Sequence, residues 1–254
     1  MAGFKLSLSV PYLTPIRYRA LKIYALMREA LNASQQDLTA RFLRMLSISL
    51  EQVALIRSAI LHHHYTGLSE RTHELEQELD ILEREVEETC LNAIARYQPL
   101  ASDLRFYLMI FKSLTDLERA GDYGRHIGRD LEDISGTFSS GPLQDVLPQT
   151  NLLATMIERL AYAFTEGDVA AAREVMRLDY EEVDALYEQM QRASLTRILE
   201  NPRDLHAALK ANRMARSLER LGDHLVNVAE RVEAYLLSRP GAMAAQIQAG
   251  TAQI

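Results

Sequence analysis

Apolar residues recur at helical spacing along almost the whole chain. Leu21, Tyr24, Ala25, Met27 and Leu31 predict a helix over residues 17–33, and Leu38, Phe42, Met45, Leu46, Val53, Ile56 and Ile60 a longer one over 36–64. A third helix, over 68–97, carries the stripe Leu75, Leu79, Leu82, Val86, Cys90 and Ile94 beneath a dense Glu/Arg face. Gln98-Pro99 then opens a helix over about 100–134, with proline suited to the first turn. Residues 135–149 are rich in Ser, Gly and Pro and read as a linker. The same plan returns after it: a helix over 150–165, a break at Glu166-Gly167-Asp168, a second helix over 169–199, then Asn201-Pro202 opening a third over 203–238. No segment alternates with period two over strand length. The expected fold is all-α, two tandem, pseudo-symmetric three-helix bundles. Residues 1–35 form a partly helical N-terminal extension, 36–135 the first repeat, 136–149 the linker, 150–238 the second repeat and 239–254 a frayed tail.

The repeat is also local. Leu117-Glu118-Arg119-Ala120-Gly121-Asp122 returns as Leu218-Glu219-Arg220-Leu221-Gly222-Asp223, with the two glutamates 101 residues apart. Residues four apart share a helix face, so Glu118, Asp122, His126 and Asp130 form a ladder, and Glu219, Asp223 and Asn227 its counterpart. Like charges at that spacing repel by a few tenths of a kcal/mol per pair, which neighbouring arginines, solvent or a bound cation offsets. Gly121 and Gly222 sit in helix interiors, where glycine is unfavourable, and imply a close approach of backbone or ligand. If the helices at 68–97 and 100–134 pair antiparallel, Glu76 and Asp80 come level with Glu118 and Asp122. Asp184 and Glu188 stand at a comparable distance from the second turn, opposite Glu219 and Asp223. Four facing carboxylates suit a hard divalent or trivalent cation. The same pattern also suits a solvated helix face.

Composition narrows the reading. The 254-residue chain is 48% hydrophobic with a net charge of −7, which disfavours non-specific nucleic-acid binding. A single cysteine, Cys90, fits a reducing compartment and a core position. No apolar run approaches the ~20 residues of a membrane span, and Ser7, Ser9 and Pro11 interrupt the N-terminal apolar stretch, so the expected location is the cytoplasm. His62-His63-His64 diverge by ~100° per residue and read as a helix-end cap. One Glu-x-x-His motif, Glu70 to His73, leaves a carboxylate-bridged di-metal enzyme as a competing reading, although no second copy exists. There is no Walker-type loop and no nucleophile–base set, so no catalytic role is indicated. A metal-free structural or adaptor bundle is the third reading.

Gln98-Pro99-Leu100-Ala101-Ser102-Asp103-Leu104-Arg105, then Leu117 to Asp122, then Leu218-Glu219-Arg220-Leu221-Gly222-Asp223-His224-Leu225-Val226-Asn227-Val228-Ala229-Glu230, resemble in order and spacing the PhoU-type phosphate-uptake regulators. The resemblance covers about residues 36–238. It implies tandem three-helix bundles holding multinuclear metal clusters through Glu/Asp-x-x-x-Asp motifs, with iron foremost and zinc, magnesium or manganese as alternatives. Carried over, the motif assigns Glu76, Asp80, Glu118 and Asp122 to the first site and Asp184, Glu219 and Asp223 to the second. The remaining acid of the second site should stand at 180, where this chain has Tyr180 between Asp179 and Glu181. The resemblance further implies a negative regulator of the phosphate-starvation response, linking a phosphate ABC transporter ATPase to a sensor histidine kinase. It would be a homodimer, reaching the membrane only through partners. Residues 1–33 are additional to the family pattern.

Overall fold

The computed structural model describes residues 15–133, 141–202 and 205–239, all helices and short connections. The predicted helices at 17–33 and 36–64 are one, α1 (Pro15–His62), because no glycine or proline lies between Pro15 and Gly67. Arg19 and residues 21–29 are exposed, and burial begins at Leu31. α2 (Leu68–Tyr97) and α3 (Ser102–Asp133) follow as an antiparallel pair. Pro99 lies in their connection and does not begin α3. The turn is made by Gln98 (φ 45°) and Ala101 (φ 49°), both in the left-handed region that favours glycine.

The predicted linker is only partly described. Residues 134–140 lie outside the described set, and from 141 the chain is again helical: α4 (Gly141–Gln144), then α5 (Leu147–Glu166). Leu143 and Val146 are buried, so this stretch belongs to the second half's core despite its composition. Gly167 (φ 73°) ends α5, and the Asp168 carboxylate caps α6 (Val169–Leu178) by accepting from the N–H groups of Ala170 and Ala171. A five-residue π-helical turn, Asp179–Val183, joins α6 to α7 (Asp184–Glu200). α8 (Leu205–Leu237) closes the fold. The residues of the predicted tail from 240 on lie outside the described set. Among the described residues no helix is long and apolar enough to cross a membrane.

Each half is thus a three-helix unit, α1–α3 and α5–α8, with the α6–α7 rod as the second unit's middle helix. The halves share one continuous core. α3 and α8 run antiparallel along the junction, and Phe42 of α1 meets Phe164 of α5 edge to face at 4.8 Å. Tyr123 and His224, equivalent residues of the two repeats, stack at 5.8 Å and mark the pseudo-twofold axis. Beside them Asp116, 8% exposed, accepts from His224 Nδ1 (2.8 Å), Asn227 Nδ2 (2.9 Å) and the Arg231 guanidinium. On the other side of the axis Arg213 donates to Asp130 at 2.6 Å. Burial opposes the charge of Asp116, but the bonds from His224, Arg231 and Asn227 outweigh it and hold the carboxyl below its usual range.

Close helix contacts rest on small residues. Cβ atoms built on Gly124 and Gly128 would fall 2.5 Å from Gln52 Oε1 and 2.2 Å from Thr72 Oγ1. Thr72 is buried, short and β-branched, so it has little room to yield. Gly128→Ala is expected to destabilise the fold by ~1–3 kcal/mol in urea denaturation, as overpacking does. Adding Thr72→Ala should recover part of that loss. An unchanged midpoint in the single variant would show that the α2–α3 contact is looser than described.

Candidate functional site

The α2–α3 pair brings Asp80, Glu118 and Asp122 together, as expected, and adds Glu83. Burial pushes the Glu118 carboxyl up to about 6, helped by the nearby charges of Asp122, Glu83 and Asp80. Glu83 is raised for the same reasons, burial first, then Asp80 and Glu87. Glu76 is also at this interface, but its nearest partners are His73 and Arg125. His73 Nδ1 is 3.0 Å from Glu76 Oε2, and Arg125 Nε is 3.3 Å from Glu76 Oε1. Arg125 reaches Asp122 as well, at 3.3 Å. The first cluster therefore carries a guanidinium at one end, placed one turn after Asp122 on α3.

The second cluster is built by the π turn. In a regular α-helix Asp179 and Asp184 would face different ways, since five residues overshoot one turn. Here the Asp184 N–H donates to the Asp179 carbonyl, a bond spanning five residues, and one extra residue is absorbed into the turn. Asp179 and Asp184 then share the face turned to α8. Tyr180, at the position where the four-residue motif requires an acid, is 79% exposed. Asp179 is 7% exposed, and its Oδ1 is buried with no hydrogen-bond partner. Burial, and then the charges of Asp184, Asp223 and Glu219, push it up to about 7. Asp184 and Glu219 are also raised, in both cases by burial first and then by Asp223. A Cβ on Gly222 would fall 2.4 Å from Asp179 Oδ1. The glycine of the second Leu-Glu-Arg-x-Gly-Asp thus clears space for a carboxylate. Gly121, its counterpart, makes room for Leu79 at 3.3 Å.

Sequence reasoning placed Asp80, Glu118, Asp122, Asp184, Glu219 and Asp223 where the structure groups them. It missed Asp179, whose only signal was the acid beside Tyr180 combined with the unexplained Gly222. Glu83 is signalled by its four-residue spacing to Glu87 and from Asp80 by the next turn. Glu188 is exposed and pairs with Arg192 at 3.4 Å. The far ends of the two ladders serve the α3–α8 junction: Asp130 binds Arg213, and Asn227 binds Asp116. His62 to His64 are exposed at the end of α1. Cys90 is fully buried, and burial pushes its thiol up to about 12, so it is inert.

The donor set of both clusters is hard oxygen, the chemistry that holds magnesium, manganese or iron. The orphaned, buried Asp179 Oδ1, with Asp184, Glu219 and Asp223 beside it, fits a cation held against α8. As they stand, no three His, Cys, Asp or Glu side chains among the described residues converge tightly enough to close a metal site. Binding would draw the carboxylates together.

Comparison with known proteins matches this architecture to one family. The profile of the PhoU domain covers residues 42–131 and again 150–232, one match per half. A Deinococcus radiodurans protein named phosphate-specific transport system accessory protein PhoU homolog is 38% identical over 206 residues, 81% of this chain and 96% of that one. The Escherichia coli phosphate-specific transport system accessory protein PhoU is 30% identical over 210 residues, 81% of this chain and 84% of its own. The crystal structure of PhoU from Pseudomonas aeruginosa superposes with a TM-score of 0.73 at 30% identity, covering 81% of this chain and 98% of that one. Two copies of the matched domain, in two halves related by a pseudo-twofold axis, make this chain a member of the PhoU family.

Proposed function

We propose that the chain is a cytoplasmic, non-enzymatic negative regulator of phosphate uptake and of the phosphate-starvation response. It acts as a metal-binding adaptor between the ATPase of a phosphate ABC transporter and a sensor histidine kinase, as a homodimer. The names of its relatives, accessory proteins of a phosphate-specific transport system, support the pathway. The observation that carries the metal reading is Asp179, a buried carboxylate with an unpartnered oxygen beside Asp184, Glu219 and Asp223. When bound, the metal would neutralise four mutually repelling carboxylates and tie the α6–α7 rod to α8. Each cluster is neutralised in part, the first by Arg125 beside Glu76 and Asp122 and the second by Arg220 beside Asp223 and Glu219, but only the second holds a buried carboxylate oxygen without a partner, which favours tighter metal binding there.

Deleting the gene should derepress phosphate-starvation genes at high phosphate, and the tagged protein should retain the transporter ATPase and the kinase in pull-downs. Unchanged expression and uptake in the deletion strain would refute the regulatory role. Metal content after reconstitution with manganese or iron separates the two clusters. Asp179→Asn should lose the metal of the second, Glu118→Ala with Asp122→Ala that of the first, and Tyr180→Ala neither. Equal loss in the Tyr180 variant would place the ligand at 180 instead.

The pH dependence has a definite sign. Asp179 and Glu118 bind protons more tightly folded than unfolded, since their folded pKa values are raised to about 7 and about 6. Their contribution to stability is therefore complete below the unfolded carboxylate range, ~4, and is lost as pH rises through 6 and 7. Asp116, with a lowered pKa, acts oppositely and only in acid: its contribution disappears as pH falls below the usual range. Metal-free protein should melt at a higher temperature at pH 5 than at pH 7.5. Saturating manganese should reverse the order, because metal competes with protons for the same oxygens. A flat profile in metal-free protein would show that the clusters are better solvated than their geometry indicates.

A further inference from the structure

A cavity of about 310 Å³ opens between the N-terminal half of α3 and the C-terminal end of α8, remote from both carboxylate clusters. Leu108, Met109 and Tyr235 form its apolar lining, and Arg105, Lys112 and Arg231 its cations. Arg231 is committed to Asp116. Arg105 and Lys112 are exposed, and neither makes an ion pair or side-chain hydrogen bond among the described residues.

The pseudo-twofold axis supplies a built-in comparison. Moving 101 residues along the chain carries Lys112 to Arg213 on α8, while Asp130 and Asp133 on α3 go to Arg231 and Ala234. At the sister position, between the C-terminal end of α3 and the N-terminal half of α8, the cations are matched internally. Arg213 donates to Asp130 at 2.6 Å, and Lys210 Nζ lies 3.3 Å from Asp133 Oδ2. Asp130, Leu131 and Asp133 thus present two carboxylates from one helix, one turn apart, against α8. In the first groove the equivalents of those two acids are an arginine and an alanine. Lys112 keeps the cation of Arg213, Met109 stands where the sister groove has Lys210, Arg105 adds a second cation, and the acids are omitted.

We propose that this groove docks an acidic helical segment of a partner protein, one that presents two carboxylates about one turn apart beside an apolar side chain. The partner's acids would pair with Lys112 and Arg105, and its apolar residue would cover Leu108 and Tyr235. The cationic rim steers such a segment by charge, and the apolar lining selects it over a simple ion. This inference is independent of the metal reading, because no residue of either carboxylate cluster lines the groove.

The test uses the full-length protein and a fluorescein-labelled alanine-based peptide of about sixteen residues, long enough to hold a helix, with Asp130-Leu131-Glu132-Asp133 at its centre. Fluorescence anisotropy should show saturable binding. A peptide with Asn in place of both aspartates should bind roughly tenfold more weakly, the scale of ~1.4 kcal/mol. Lys112→Glu should weaken binding by a similar factor. Ala234→Asp restores an acid of the sister groove within the chain, and should block the peptide while raising the melting temperature. Circular dichroism confirms that each variant is folded. Absence of saturable binding to the wild type would overturn the proposal, as would full binding by both variants. Displacement of the peptide by inorganic phosphate at matched ionic strength would also overturn it, by showing a small-oxyanion site.

Discussion

Mutual repulsion among carboxylates across paired helices is the constraint around which this fold is arranged. Each half sets acids of two antiparallel helices against one another at a partly buried rim, where water screens them poorly. Folding alone does not relieve that strain: burial first, and then the neighbouring acids, raise the pKa values of Glu118, Asp179, Asp184 and Glu219. The two halves relieve it differently. The first inserts a cation of its own, Arg125, beside Glu76 and Asp122. The second has Val226 at the equivalent place, pairs Glu219 and Asp223 with Arg220 instead, and leaves Asp179 buried with an unpartnered oxygen. A duplicated fold has thus diverged in charge compensation while keeping its backbone plan.

The junction between the halves shows the same divergence. Tyr123 and His224 mark the axis, and helices α3 and α8 carry ion pairs on both sides of it. Yet Asp116 gathers three donors on one side, whereas Asp130 and Asp133 serve Arg213 and Lys210 on the other. Asp116 engages Arg231 in the wall of the groove above it. What remains there is a rim of cations without acids, next to exposed Leu108. Internal symmetry is informative because each half reports what the other has lost.

Much of this was legible in the chain itself. The apolar stripe of α2 is buried at Leu75, Leu79, Val86 and Cys90 and partly buried at Leu82 and Ile94, as its spacing required. Three features were not legible, each for a physical reason. Residues 141–149 look like a linker by composition, but burial of Leu143 and Val146 is a tertiary effect that composition does not carry. The Asp179 to Asp184 spacing fails the four-residue rule because that rule presumes an unbroken α-helix, and a π turn changes the period. The capture of Glu76 by Arg125 depends on side chains from two helices meeting at a level that helix periodicity on either one does not reveal. Gly222 was the clue that could have found Asp179, since a helix-interior glycine marks the spot where something must come close.

Anomalous scattering from crystals grown with manganese tests the account most directly. The expected result is a peak coordinated by Asp179, Asp184, Glu219 and Asp223, with the π turn retained and Tyr180 facing solvent. A peak in the first cluster alone, or a second site in which the turn has relaxed to regular helix and Asp179 has swung away, would contradict it.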